Sequence, residues 1–295
     1  MKTKTIEGKN VILLCLLAML LIAGCSDDEN EEFATNELDS LLWEVKGNGI
    51  KKSYLYGTIH VICSEDFSIT EITRQKLESS KQIAFEIDFD NPREFNLLIQ
   101  DNSKLPVGIT LDSLLTTEEY ATVENFFKEC PEIDEEKIRE TKPEILIQQK
   151  LLCDCNVKSY EVEFLQLAIE KNKEIFGLET IKEAETVANK AQKIPYETQA
   201  QNLLETIENF EIVRQELNSL IEDYKNRSLA GIYASTRSEG DEFIIDQRNE
   251  NWIPDIELIA SKKSTFFAFG AAHLGGEKGV INLLRQKGYT VEVAR

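Results

Sequence analysis

The chain has two histidines, and they occupy matching frames. His60 closes Gly57-Thr-Ile-His60 after Ser53-Tyr-Leu-Tyr, and His273 closes Gly270-Ala-Ala-His273 after Thr265-Phe-Phe-Ala-Phe. Each frame is an aromatic-rich strand pattern, a glycine, two small or apolar residues and an imidazole, followed by an aliphatic residue, Val61 or Leu274. Glycine lets the backbone turn sharply or approach a ligand closely, and an imidazole three residues on can swing back over the strand end. Neutral imidazole binds divalent metals and exchanges protons near neutral pH. A lone histidine is more often a packed or solvated residue, but a pair sharing one frame favours a common metal or acid–base site.

Two imidazoles and one carboxylate form a common divalent-metal set that leaves positions open for water and substrate. Glu86 stands inside the apolar pattern Gln82-Ile-Ala-Phe-Glu86-Ile-Asp88. A charge there needs a partner, a metal or an exposed face. Alternation sets Glu86 opposite Phe85 and Ile87, a placement that a plain amphipathic edge strand would also give. Glu179, in Gly177-Leu178-Glu179-Thr180, is the other candidate acid, or else a cap for the helix that follows. Arg248 and Asn249 lie with Trp252 in a helical pattern. An arginine there suits a carboxylate or a developing oxyanion, although taken alone it is more often a surface ion pair.

These side chains need elements to position them. Leu41 to Gly57 reads as a β-hairpin around Asn48-Gly49, a strong two-residue turn signal, and puts the first Gly-x-x-His at the far end of its second strand. A helix over 69–80 and the strand containing Glu86 follow. Residues 91–152 read as acidic and mostly helical, with breaks at Pro106, Pro131 and Pro143. A helix over 162–172 and a short strand over 174–180 come next, then helices over 181–193 and 196–226 on the 3.6-residue period, and helical pattern from 228 to 260 around Gly231 and Gly240. The chain closes with a strand over 265–269, the second Gly-x-x-His, a helix over 277–287 and a strand over 289–293. The two ends echo each other as strand, Gly-x-x-His, helix, strand. This predicts an α/β fold with a central mixed β-sheet built from two related β-GxxH-α-β halves and a large helical insertion between them. In such sheets ligands bind beyond the carboxyl ends of the strands. The helical middle, 91–260, is expected to wall the site and tune substrate choice.

Gly57-Thr-Ile-His60, the Glu86 strand, Gly177-Leu-Glu179-Thr, Arg248-Asn249-x-x-Trp252 and Gly270-Ala-Ala-His273-Leu-x-Gly276, with Gly279 and Gly288-Tyr289, together resemble the TraB/GumN family. That family is related to the Tiki proteases and more distantly to erythromycin-esterase-like and ChaN-like proteins. The resemblance implies an α/β fold whose two halves meet at the Gly-x-x-His loops, and metal-dependent hydrolysis of a peptide or protein substrate. His60, His273 and Glu86 would hold a Zn, Mn or Co ion or its water. Arg248 and Asn249 would orient the scissile carbonyl, and Glu86 is favoured over Glu179 as the catalytic acid. One departure stands out: Glu161 occupies a position where the family pattern has aspartate after glycine, which weakens any role for it. The alternative reading is a non-catalytic surface lipoprotein that captures haem, metal or a peptide.

The N-terminus resembles a bacterial lipoprotein signal over residues 1–24. Lys2, Lys4 and Lys9 precede an apolar run, Val11 to Ala23, too short to span a bilayer comfortably, and Leu21-Ile-Ala-Gly24-Cys25 has the lipobox pattern. Lipidation at Cys25 implies an outer-membrane lipoprotein, periplasmic or surface-exposed, held by its acyl chains alone. The acidic stretch over 25–40 predicts a disordered linker, read either as a surface-export signal or as a plain solvated tether. Residues 41–295 are long enough for one large folded domain. The net charge of −20 argues against nucleic acid or anionic lipid as partners of the folded part. Four cysteines remain beyond the lipobox. Cys153 and Cys155 are too close to pair easily with each other, and either is a possible partner for Cys130. Cys63 reads best as a buried thiol, ahead of a metal or nucleophile role.

Overall fold

The computed structural model describes residues 40–89, 91, 103–191, 194–237 and 245–295, leaving aside the side chains of 187–191. The signal segment, Cys25 and nearly all of the acidic linker lie outside the described residues. A six-stranded mixed sheet runs in the order β6-β4-β7-β2-β1-β8. Its strands are β1 (Leu42–Gly47), β2 (Ile50–Thr58), β4 (Gln82–Ile87), β6 (Glu174–Glu179), β7 (Thr265–Gly270) and β8 (Thr290–Val293). Short strands β3 (Ile62–Cys63) and β5 (Val157–Lys158) pair apart from it. The expected hairpin joins β1 and β2, with Asn48 and Gly49 both at positive φ, as a two-residue turn of matching twist requires.

Four neighbouring strands, β6, β4, β7 and β2, are mutually parallel. Their carboxyl ends therefore open on the same edge of the sheet, where the candidate residues lie. β4 is not an edge strand: it pairs on both sides, and Ile83, Ala84 and Phe85 are fully buried. The amphipathic-edge explanation for Glu86 is thereby removed.

The two Gly-x-x-His units are not equivalent in the sheet. From β2 the chain passes through α1 (Glu71–Ser79) to β4, on the far side of β7. From β7 it passes through α12 (Val280–Gln286) to β8, beyond both β2 and β1. The crossovers leave the centre in opposite directions, and the second spans an extra strand.

The middle of the chain is largely helical, but it also supplies β6. It comprises α2 (Leu111–Leu114), α3 (Thr117–Phe127), α4 (Glu135–Glu140), α5 (Pro143–Leu151), α6 (Tyr160–Glu170), α7 (Ile181–Ala191), α8 (Tyr196–Glu208), α9 (Phe210–Lys225), α10 (Leu229–Thr236) and α11 (Gln247–Lys262). The single helix expected over 196–226 breaks at Asn209, whose amide donates to the Glu205 carbonyl at 2.9 Å. Asparagine side chains compete with the backbone in this way and favour helix ends. The break sends the two helices to different cores. Ala200 and Leu203 of α8 join Leu111, Val123, Phe127 and Leu146 in a helical cluster. Tyr224 of α9 joins the main core with Leu55, Phe164, Phe266 and Trp252. The helical pattern over 228–260 likewise divides into α10 and α11, and Gly240 lies outside the described residues. Among the described residues no helix is long and apolar enough to cross a membrane.

All four remaining cysteines are paired, Cys63 with Cys155 and Cys130 with Cys153. This corrects the reading of Cys63 as a buried thiol and closes its metal and nucleophile roles. Two adjacent odd positions, Cys153 and Cys155, face different partners, so one bridge staples the helical cluster and the other ties β5 to β3. The Cys63–Cys155 bridge closes a loop across 92 positions, and a disulfide typically contributes about 2–4 kcal/mol by restricting the unfolded chain. Thiol titration of the denatured mature protein should find none of these four cysteines reactive until a reductant is added. The double variant Cys63→Ser, Cys155→Ser should melt several degrees lower.

Candidate active site

Each site side chain comes from a strand end or from the first turn of α11. Glu179 ends β6, Glu86 lies near the end of β4, His273 follows β7 through a short 3-10 turn (Ala271–His273), and His60 follows β2. One glycine makes this convergence sterically possible, and a second lies at its centre. A Cβ on Gly57 would lie 2.6 Å from Leu274 Cδ1 and 2.9 Å from the Ala271 Cα, so the first loop can approach the second only without a side chain. A Cβ on Gly270 would sit within 3.6 Å of Glu86 Oε1, His273 Cδ2 and His60 Nε2, in the middle of the site.

Both imidazoles present Nε2 to the same oxygen. His60 Nε2 is 4.0 Å and His273 Nε2 is 3.9 Å from Glu86 Oε1. The Gly270 backbone N–H donates to that oxygen at 2.8 Å. The ring orientations follow from the Nδ1 partners. Asn249 donates its amide N–H to the Lys278 carbonyl at 2.9 Å, which turns its Oδ1 toward His273 Nδ1 at 2.7 Å. His273 must then carry its proton on Nδ1, leaving a lone pair on Nε2. His60 Nδ1 faces Glu161 Oε1 at 3.0 Å, and an ionised carboxylate only accepts, so here too Nδ1 is the donor.

Arg248 lies between the two other acids. Its guanidinium bonds Glu86 Oε2, donates through Nε to Glu179 Oε1 at 2.9 Å, and stacks on Trp252 at 4.8 Å. It is buried, and the side chains of Glu179 and Glu86 are largely covered, so the surface-ion-pair reading fails. The helix-cap reading of Glu179 also fails: Thr180 and Glu183 form the reciprocal cap of α7. Trp252 packs on the His273 ring at 4.4 Å between centroids.

The electrostatics separate groups that look alike in sequence. Burial opposes charge on Glu86, but Arg248, both imidazoles and the Gly270 N–H hold its carboxyl well below the usual range. Burial dominates at Glu179 and pushes it up, with Arg248 offsetting only part. Burial also disfavours the charged form of His273 and, with Arg248 nearby, takes it down to about 3. At His60 burial acts the same way, yet the adjacent Glu161 carboxylate outweighs it and raises the ring to about 9.

Of the residues expected from the sequence, the structure brings together His60, His273, Glu86, Glu179, Arg248 and Asn249. Glu161 is the residue that sequence reasoning discounted. It is buried, and it accepts from Thr58 Oγ1 at 2.6 Å and Ser159 Oγ at 2.9 Å besides facing His60. Thr58, one residue past Gly57 in the first motif, was the available signal. The middle of the chain thus supplies Glu161 as well as Glu179, Arg248 and Asn249 to this cluster.

Among the described residues, no three histidine, cysteine or carboxylate side chains form a closed metal-ligand cluster. His60, Glu86 and His273 nevertheless fit a divalent metal by donor type. The fit lies in the chemistry of the set, two imidazole nitrogens turned toward one carboxylate oxygen at 4.0 and 3.9 Å.

Fold and site together define a mixed α/β protein with a histidine–carboxylate–arginine centre at the carboxyl ends of parallel strands. The chain belongs to the TraB/PrgY/gumN family, matching it over residues 41–293. It is similar to the Danio rerio protein named metalloprotease TIKI1, at 24% identity covering 95% of this chain and 69% of that one. The Danio rerio metalloprotease TIKI2 is 23% identical, covering 87% and 61%, and the Homo sapiens metalloprotease TIKI1 is 24% identical, covering 88% and 63%. The chain therefore spans between 61% and 69% of the length of these relatives. No solved structure matches it.

With only two histidines, proton NMR of the metal-free protein reads both titrations directly. One ring should change protonation near pH 9 and the other should stay neutral down to about pH 3. The stability contribution of His60 is then full below its unfolded value, about 6.5, and is lost as pH rises toward 9. That of His273 has the opposite slope, falling as pH drops below about 6.5. Two rings that both titrate near 6.5 would contradict this description of the site.

Proposed function

We propose that this protein is a metal-dependent peptidase of the bacterial cell envelope. The observation that carries the reading is the convergence of His60 Nε2 and His273 Nε2 on Glu86 Oε1, supported by similarity to proteins named metalloproteases. His60, His273 and Glu86 would hold a Zn, Mn or Co ion. A bound ion of this kind supplies a water of lowered pKa and polarises a carbonyl.

The remaining steps belong to the chain itself. Glu86 is held anionic by Arg248, so it serves as a ligand and is a poor proton acceptor. This reverses the expected preference for Glu86 as the proton carrier: Glu179, whose carboxyl is pushed up by burial, is the better acceptor of the two. Arg248 keeps the two acids in place and presents positive charge toward a developing oxyanion. Asn249 fixes the His273 ring. Haem capture instead would need an open apolar face beside one imidazole, whereas Glu86, Glu161 and Arg248 surround these rings. The helical cluster over α2–α5 and α8 is positioned in sequence between the two motifs and is our candidate for shaping peptide choice.

For location, we propose lipidation at Cys25 and anchoring in the outer membrane. Cys25→Ala should leave unprocessed precursor, and normal processing of that variant would remove the anchor from the account.

Purified protein should bind one divalent ion per chain, release about one proton from His60 on binding at pH 7, and cleave unstructured peptides in a chelator-sensitive way. Glu86→Gln should retain the fold and lose turnover by about two orders of magnitude or more. Unchanged hydrolysis by that variant, beside an inactive His60→Ala control, would overturn the assignment.

A further inference from the structure

The two histidines sit in the same motif, yet their outer nitrogens are held by unlike partners. His273 has the neutral Asn249 amide, carried in the first turn of α11. His60 has a carboxylate, Glu161, from the first turn of α6 (Tyr160–Glu170), an element far away in sequence. Glu161 is itself fixed: Thr58 Oγ1 donates to Oε1 at 2.6 Å, and Ser159 Oγ donates to Oε2 at 2.9 Å. Only 5% of the residue is exposed, so it is not a solvated acid that happens to pass nearby. The segments bearing the pair are also tied together. β3 lies just after His60 and pairs with β5, just before Ser159, and the Cys63–Cys155 bridge joins β3 to the residue two positions before β5.

We infer that Glu161 is a positioning residue for His60: it fixes the ring so that Nε2, not Nδ1, faces Glu86 and the site. A carboxylate behind a ligating histidine sets its tautomer and orientation. This rests on the reading of His60 as a metal ligand. The Nδ1 contact at 3.0 Å, with the carboxylate itself held by two hydroxyls, is the geometry such a role needs.

Two readouts on the purified protein test it. In the metal-free protein at neutral pH, nitrogen-edited NMR should show a downfield His60 Nδ1 proton protected from exchange, and Glu161→Gln should shift it upfield and speed its exchange. Zinc calorimetry should show Glu161→Gln binding about 10- to 100-fold more weakly than the parent, with Glu161→Asp recovering part of the loss. Thr58→Val leaves the carboxylate in place and should weaken zinc by a smaller factor, which covers the case in which Glu161→Gln fails to fold. A His60 Nδ1 proton that is absent in the parent, or unmoved by Glu161→Gln, overturns the inference whether or not zinc binds. Zinc that binds Glu161→Gln and Thr58→Val as tightly as the parent overturns it while leaving the metal reading intact. A parent that binds no zinc but shows the protected proton sinks the metal reading alone.

Discussion

The Arg248 guanidinium lies between two carboxylates that would otherwise repel each other in a largely dry pocket. Glu86 and Glu179 come from neighbouring strands, and their exposure is 12% and 7%. Removing one partner from such a buried group typically costs about 3–5 kcal/mol, because a charge is left without compensation. Arg248 therefore decides whether the acids can converge at all, and it makes them different. Glu86 is held anionic by Arg248, both imidazoles and the Gly270 N–H, while Glu179, with Arg248 offsetting burial only in part, is pushed up. Trp252 keeps the guanidinium flat against the core and packs on His273, so one turn of α11 orders both the acids and one imidazole.

The sheet supplies the geometry that this charge arrangement needs. Parallel strands deliver their carboxyl ends to one edge, and four of them in a row bring Glu179, Glu86, His273 and His60 there in spatial order. Close approach of the two motif loops depends on the missing side chain of Gly57. The glycine of the first motif is thus a packing requirement as well as a chemical one. The disulfide between Cys63 and Cys155 extends that logic to the periphery, tying the segment after His60 to the segment before Glu161.

Much of this was legible in the sequence, for identifiable reasons. Repetition of the Gly-x-x-His frame, aromatic strand patterns and the Asn-Gly turn are local signals, and they led to the sheet centre, the hairpin and both histidines. Glu86 stood out because a charge inside an apolar strand has few explanations. What failed was non-local. Whether β4 was an edge or an interior strand depends on β6 and β7 pairing with it, which alternation within one strand does not encode. Glu179 looked like a cap because it precedes Thr180, and only the position of Arg248 shows otherwise. Glu161 was set aside for departing from a familiar pattern, although its length suits the contact it makes. The cysteine pairing depends on β3 meeting β5, a contact between segments remote in sequence.

The central claim is that His60, His273 and Glu86 form one divalent-metal site at the carboxyl ends of the parallel strands. X-ray absorption at the metal edge of cobalt- or zinc-loaded protein tests it most directly. The account predicts two imidazole ligands plus oxygen ligands at about 2.0–2.1 Å, falling to a single imidazole in His60→Ala. A first shell without imidazole scattering, or one unchanged by His60→Ala, would contradict it.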